Sequence, residues 1–138
     1  AAIHIGSKYY YMNVTIDQKS EAFKKRYQYY NNETKKLFKK YNVNVLNSNL
    51  LVFVMDKPDD EGLTTIGQTL CFRKRVVYVQ IADKHLMFSS HKQIIDTVRH
   101  EVAHAIDCNR RGTSNHDEVW EKIAKELGAL PEPVYTEK

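Results

Sequence analysis

The feature that most constrains the fold of this chain is a pair of histidines four residues apart, His100 and His104, inside a stretch with helical periodicity. The helix is predicted to begin near Ser90, because a serine followed three residues later by Gln93 is typical of a helix N-terminus. It is predicted to end near residue 109. Since residues four apart project from the same face of a helix, both imidazoles can reach one metal ion.

The two sides of this predicted helix differ in chemistry. One side carries Ile94, Ile95, Val98, Val102, Ala105 and Ile106, and the other carries Thr97, His100, Glu101, His104 and Cys108. The apolar side is suited to a core and the polar side to a site. Glu101 follows the first histidine directly, so we expect it to face the ion without being a ligand. There it can act as the general base that takes a proton from zinc-bound water.

A third metal ligand is expected after this helix, because a catalytic zinc ion usually has three protein ligands. Residues 112–115 are predicted to break the helix, and His116 follows them, where a chain reversal can return its imidazole to the ion. Glu121 and Glu118 on the last helix are the open alternatives, and Glu121 is the stronger of the two. The metzincin arrangement is excluded, since its glycine and third histidine are absent at the required spacing.

The rest of the sequence predicts an α+β fold in the order helix, three strands, helix, helix. The first helix is predicted over residues 17–41, the strands over 50–55, 65–72 and 76–81, and the last helix through Leu127, where Gly128 ends it. The strands are expected to form a small, mainly antiparallel sheet, with a basic hairpin turn at residues 73–75.

One domain is expected from a chain of 138 residues. Residues 17–130 are predicted to form it, residues 1–16 to be a leader or a segment added for expression, and residues 131–138 to be a flexible tail. No stretch is apolar over the roughly 18 residues that a membrane span needs, and no signal-peptide pattern is present, so a cytoplasmic location is expected. Cys71 and Cys108 form no CxxC motif, and both are expected to stay reduced.

Residues 100–104 form an HExxH motif, which is followed by a short break and then by His116 and Trp120. In these features the chain resembles the SprT-like (Spartan-like) zinc metallopeptidases. The resemblance covers about residues 17–128 and indicates a minimal domain, without the C-terminal zinc ribbon that many members carry. It implies a zincin-like fold, one zinc ion held by His100, His104 and His116, and Glu101 as the catalytic base. The residues beside the third histidine are Asn115 and Asp117, whereas members typically have glycine at both positions.

Three functions are compatible with these features. The first is a zinc-dependent metalloendopeptidase acting on protein substrates, including proteins bound to nucleic acid. The second is a regulatory peptidase with a glutamate as third ligand, which cleaves a repressor-like partner. The third is a non-catalytic nucleic-acid-binding module that zinc stabilises; Glu101 argues against it, because a structural zinc site does not require a base.

A basic surface makes DNA a candidate partner. The formal net charge is +4, and clusters of basic residues occur on the first helix and in the hairpin turn: Lys24, Lys25, Lys35, Lys36, Lys39, Lys40, Arg73, Lys74 and Arg75. Such clusters can contact phosphates, or they can be the solvated face of an ordinary protein. The sequence leaves both interpretations open.

Overall fold

The secondary structure comprises four helices and six strands in the residues that the computed structural model describes, which are 2–4, 13–131 and 134–136. In chain order they are β1 (Ala2–His4), α1 (Glu21–Lys40), β2 (Leu50–Phe53), β3 (Leu63–Thr65), β4 (Gly67–Phe72), β5 (Arg75–Ala82), α2 (Asp83–Phe88), α3 (His91–Arg111), α4 (Glu118–Leu127) and β6 (Val134–Thr136). This is the α+β class that the sequence predicts. None of the described helices is long and apolar enough to cross a membrane.

Helix α3, which carries the HExxH motif, is the central element of the fold. The predicted start is confirmed: the Ser90 hydroxyl accepts from the backbone N–H of Gln93, and the Gln93 side chain accepts from that of Ser90, each at 3.2 Å. The apolar side is buried against the sheet and the neighbouring helices. Burying one such aliphatic side chain stabilises the fold by roughly 1.5–3 kcal/mol, so this face contributes much of the core.

Helix α1 begins at Glu21, later than predicted, because the Ser20 side chain caps it by accepting from the backbone N–H of Phe23. Its apolar side packs against α3 and β2, and its lysines are exposed. Asn31 lies mid-helix without interrupting it. Its side-chain oxygen accepts from the backbone N–H of Leu50 at 2.7 Å, which fastens the start of β2 to the helix.

The sheet beneath α3 has the strand order β2–β5–β4 and is mixed. β4 and β5 form the predicted antiparallel hairpin, with Gly67 opposite Ile81 and Phe72 opposite Arg75. β2 lies parallel to β5. The expectation of a mainly antiparallel sheet is therefore wrong for one of the two strand pairs, because the chain crosses the sheet between β2 and β5 instead of turning back in a hairpin.

A second small sheet, with the order β3–β1–β6, was not predicted. The segment predicted as one strand over residues 65–72 divides at Ile66, so β3 pairs with β1 while β4 joins the other sheet. β1 and β6 lie in the segments predicted as a leader and a flexible tail, and they pair with each other in parallel. Ile3 is fully buried beside Met55 and Ile66. The domain boundaries at residues 17 and 130 stay a prediction.

A disulfide joins Cys71 on β4 to Cys108 on α3, with 6.6 Å between the two Cα atoms. The expectation that both thiols stay reduced is therefore wrong. Short-range cysteine spacing does not indicate this pair, because the two cysteines are 37 residues apart and the packing of β4 on α3 brings them together. The bond attaches the edge strand of the sheet directly to the motif helix.

Helix α4 ends at Leu127, as predicted. Gly128 follows with a φ of 87°, the left-handed conformation in which glycine commonly ends a helix. The helix packs on α3 and places Trp120, which is fully buried, against the polar side of that helix.

Candidate metal centre

Three histidine rings converge where the polar side of α3 faces the loop before α4. His100 and His104 project from neighbouring turns of α3, and His116 lies in the loop. The Nε2 atom of His116 is 3.0 Å from that of His104 and 3.3 Å from that of His100. One nitrogen from each of the three residues lies within 4.8 Å of the other two, a grouping that could hold a metal ion.

The donor set fits zinc. Ligand atoms 2.0–2.1 Å from a tetrahedral zinc ion stand about 3.3 Å from one another, close to the observed separations. Burial lowers the pKa of His100 to about 2 and that of His104 to about 4, and burial also lowers the pKa of His116. All three imidazoles are therefore neutral near pH 7, as metal ligands must be.

Trp120 packs against all three rings. Its indole lies nearly parallel to His104, with 4.8 Å between ring centroids and 17° between planes, and it meets His100 and His116 edge to face at 4.6 and 4.8 Å. Aromatic contacts at these distances restrict ring rotation and stabilise by about 0.5–1.5 kcal/mol per pair. The indole is thus a rigid support for the cluster.

Glu101 lies beside the cluster and is 2% exposed. Its Oε2 atom is 3.8 Å from Nε2 of His100, and its Oε1 atom accepts from the Thr69 hydroxyl at 2.9 Å. The same hydroxyl lies 2.8 Å from the Glu101 backbone oxygen. The Thr69 hydroxyl shares its single proton between these two oxygens of Glu101, and the other carboxylate oxygen is on the side of the histidine nitrogens.

Gly67 at the start of β4 brings the strand backbone close to α3. A Cβ atom at this position would stand 2.8 Å from Thr97 Cγ2 and 3.0 Å from both Cγ and Oε2 of Glu101. These are distances that real Cβ atoms avoid. Only glycine lets the strand approach the Glu101 side chain this closely.

An open cleft of about 620 Å³ runs between β4 and α3. Its walls include five consecutive residues of β4, 67–71, together with Glu101 and His104 on α3 and residues 112–114 of the following loop. Among the described residues β4 is an edge strand of its sheet, so the cleft follows the backbone of an edge strand. Such an edge can bind an extended peptide by adding it as a further strand.

The three candidates for the third ligand lie in different places. His116 is in the cluster, while Glu118 and Glu121 border a shallow surface depression on α4 with Lys122 and Lys125. Two other histidines on or near α3 are not part of the cluster. His85 is buried between Ser89 and Thr97, and His91 packs on Tyr29 and Tyr30.

Several residues that contact the three histidines or Glu101 were not predicted from the sequence. Thr69 and Gly67 lie on a strand more than thirty residues before Glu101, and no local pattern connects them to it. Ser114 was predicted only as part of the helix break, and no role was predicted for Asp107 near the end of α3. The polarity of the 112–115 break just before a histidine is the one signal that could have identified Ser114.

Residues 24–137 match the model of the SprT-like family. No curated protein and no solved structure matches the chain significantly. The family match covers most of the chain and includes α1 from Lys24 onward, the hairpin β4–β5, the motif helix and the loop that carries His116.

Proposed function

The chain belongs to the SprT-like family, and from this premise we propose that it is a zinc-dependent metalloendopeptidase that hydrolyses peptide bonds of protein substrates. The observation that carries the proposal is the convergence of three neutral imidazoles beside a buried glutamate in a cleft along an edge strand. His100, His104 and His116 would hold the ion. Zinc supplies a Lewis acid that acidifies a water molecule and stabilises negative charge on an oxygen.

The roles of the other residues follow from their positions. The substrate lies extended along β4, which places the scissile bond across the cleft. Glu101 accepts a proton from the attacking water and delivers it to the leaving amine, since its Oε2 atom is on the side of the histidine nitrogens. Thr69 keeps the carboxylate in that orientation.

The catalytic assignment is tested by Glu101→Gln with Glu121→Gln as the matched control, because both replace a helical glutamate by its neutral isostere. Glu101→Gln should retain zinc and lose at least about 10²-fold in cleavage of a casein-type substrate, the usual contribution of a general base. Glu121→Gln should keep full activity. Undiminished cleavage by Glu101→Gln would instead favour the non-catalytic module.

The ligand assignment is tested by zinc stoichiometry. His116→Ala should lose zinc and Glu121→Ala should retain it, because only the former removes a nitrogen from the cluster. The opposite pair of results would select the glutamate geometry, and with it the regulatory peptidase that cleaves a repressor-like partner.

We extend the proposal to substrates associated with nucleic acid. The six lysines of α1 and the three basic residues of the β4–β5 turn are all exposed. The segment after α1 and this turn meet at Asn109, whose side chain bonds the backbones of Asn44 and Lys74, so the turn lies near the segment that follows Lys39 and Lys40. Affinity for duplex and single-stranded DNA should fall steeply with salt if these residues contact phosphates. Absence of binding at low salt would remove this extension.

A further inference from the structure

The loop between α3 and α4 carries a chain of hydrogen bonds that begins at one of the three histidines. The Ser114 hydroxyl lies 2.7 Å from Nδ1 of His104 and donates to Oδ2 of Asp107 at 2.9 Å. Asp107 is fully buried and receives two hydrogen bonds from Arg111, at 2.6 and 2.7 Å. Every partner in this chain comes from α3 or from the residues that follow it directly.

The directions of these bonds determine which nitrogen of His104 carries a proton. A carboxylate paired with a guanidinium can only accept, so the single proton of the Ser114 hydroxyl goes to Asp107. The hydroxyl oxygen must then accept at its other contact, which requires a proton on Nδ1 of His104. In the neutral ring, Nε2 is left with its lone pair, and Nε2 is the atom that faces His116.

The same network continues to the segment of the third histidine. Arg111 bonds both carboxylate oxygens of Asp117 at 3.1 and 3.2 Å, in addition to its bonds with Asp107. Asp117 directly follows His116 and caps α4 by accepting from the backbone N–H of Trp120 at 3.1 Å. The Arg111 guanidinium therefore connects Asp107, which bonds Ser114, with Asp117, which directly follows His116.

We propose that Ser114 and Asp107 are positioning residues that hold His104 in the Nδ1-protonated form and thereby set the affinity of the three-histidine cluster for zinc. The inference rests on the proposed function for the identity of the ion. Groups that bond the second nitrogen of a ligating histidine orient its ring, and their loss usually weakens metal binding about 10–100-fold. Here a serine stands between the carboxylate and the imidazole.

Zinc affinity measured by competition with a chromophoric chelator tests the proposal. Ser114→Ala and Asp107→Asn should each weaken binding by about 10–100-fold. Ser114→Thr should stay close to the parent protein, because it keeps the hydroxyl. Ser89→Ala is the matched control: it removes a serine contact of the same 2.7 Å length to Nδ1 of His85, a histidine outside the cluster, and should leave zinc affinity unchanged.

A second measurement follows the tautomer directly. Long-range ¹H–¹⁵N spectra of the metal-free protein near pH 7.5 should show His104 protonated on Nδ1, and Ser114→Ala should shift the ring towards the Nε2-protonated form. Circular dichroism establishes that each variant is folded, and if Asp107→Asn does not fold, the Ser114 pair carries the test.

The inference and the proposed function fail in different ways. Parent-like zinc affinity in folded Ser114→Ala, or an Nε2-protonated His104 in the parent protein, would overturn the inference alone. A parent protein that binds no zinc would refute the proposed function and the affinity part of the inference together.

Discussion

At the scale of single residues, the contact between Gly67 and Glu101 leads to the first expectation. Gly67→Ala places a methyl group 2.8–3.0 Å from Thr97 and the Glu101 side chain, so the carboxylate must move. We expect a loss of stability of about 1–3 kcal/mol, as for other overpacked sites, and a larger fall in kcat than in zinc affinity. Steady-state kinetics and zinc titration of the same preparation measure both.

Lys122→Ala is the control for this variant, because it changes an exposed residue of α4 that lies outside the cleft. It should leave kcat unchanged. If Gly67→Ala keeps parent-like kcat, the strand does not position the base, and the role given to its close approach is wrong.

The site residues that could be predicted from the sequence are those that lie within a few residues of one another on the same helix. His100, Glu101 and His104 follow from helical spacing, and the structure places all three on one face of α3. Their roles as ligands and base stay predictions, as does that of His116, which was selected by its position after a break and by the family resemblance. Thr69 was not predictable, because its contact with Glu101 depends on how a distant strand packs.

At the scale of secondary-structure elements, the disulfide between β4 and α3 carries the second expectation. A crosslink closing a 37-residue separation should stabilise by roughly 3–5 kcal/mol, so reduction should lower the Tm by roughly 10–17 °C. Cleavage should weaken through a higher KM, since β4 forms a wall of the cleft, while zinc binding should persist because no candidate ligand lies on β4.

Thermal unfolding and kinetics with and without a reducing agent test this expectation. The Cys71→Ser/Cys108→Ser variant provides the control, because it should resemble the reduced protein and be insensitive to the reagent. A Tm that reductant leaves unchanged in the parent protein would show that the bond contributes nothing to stability.

Helices were predicted more accurately than sheets. The bounds of α3 and α4 follow from caps and periodicity that lie within the elements themselves. The β3–β4 division at Ile66, the parallel pairing of β2 with β5 and the whole second sheet depend on partners far along the chain. Short helix α2 was missed because its six residues are too few to show a period.

At the scale of the whole molecule, the buried histidine His85 makes stability depend on pH. Burial lowers its pKa from 6.5 to about 3. Between these values the unfolded chain binds a proton that the folded protein does not, so the free energy of unfolding should fall as the pH drops from about 6.5 to 3. The expected slope is about 1.4 kcal/mol per pH unit for one such group, with no contribution above pH 6.5.

Urea unfolding of metal-free protein at several pH values measures this slope. In His85→Gln the slope should decrease, since the amide can occupy the space between Ser89 and Thr97 without titrating. An identical pH dependence in parent and variant would exclude His85 as its source. The α+β class was predictable from the order of periodic and apolar segments, and the family from the HExxH motif followed by His116 and Trp120.

The three imidazoles come from residues 100–116, whereas Thr69 and Gly67, which hold the glutamate, lie about thirty residues earlier. If these imidazoles bind the ion as proposed, the site is formed by two consecutive helices and the loop between them, and its assembly costs little loop-closure entropy. Aligning the base needs the complete tertiary structure. Local unfolding of β4 would therefore leave the metal ion bound but abolish catalysis. Metal content alone does not report an active protein.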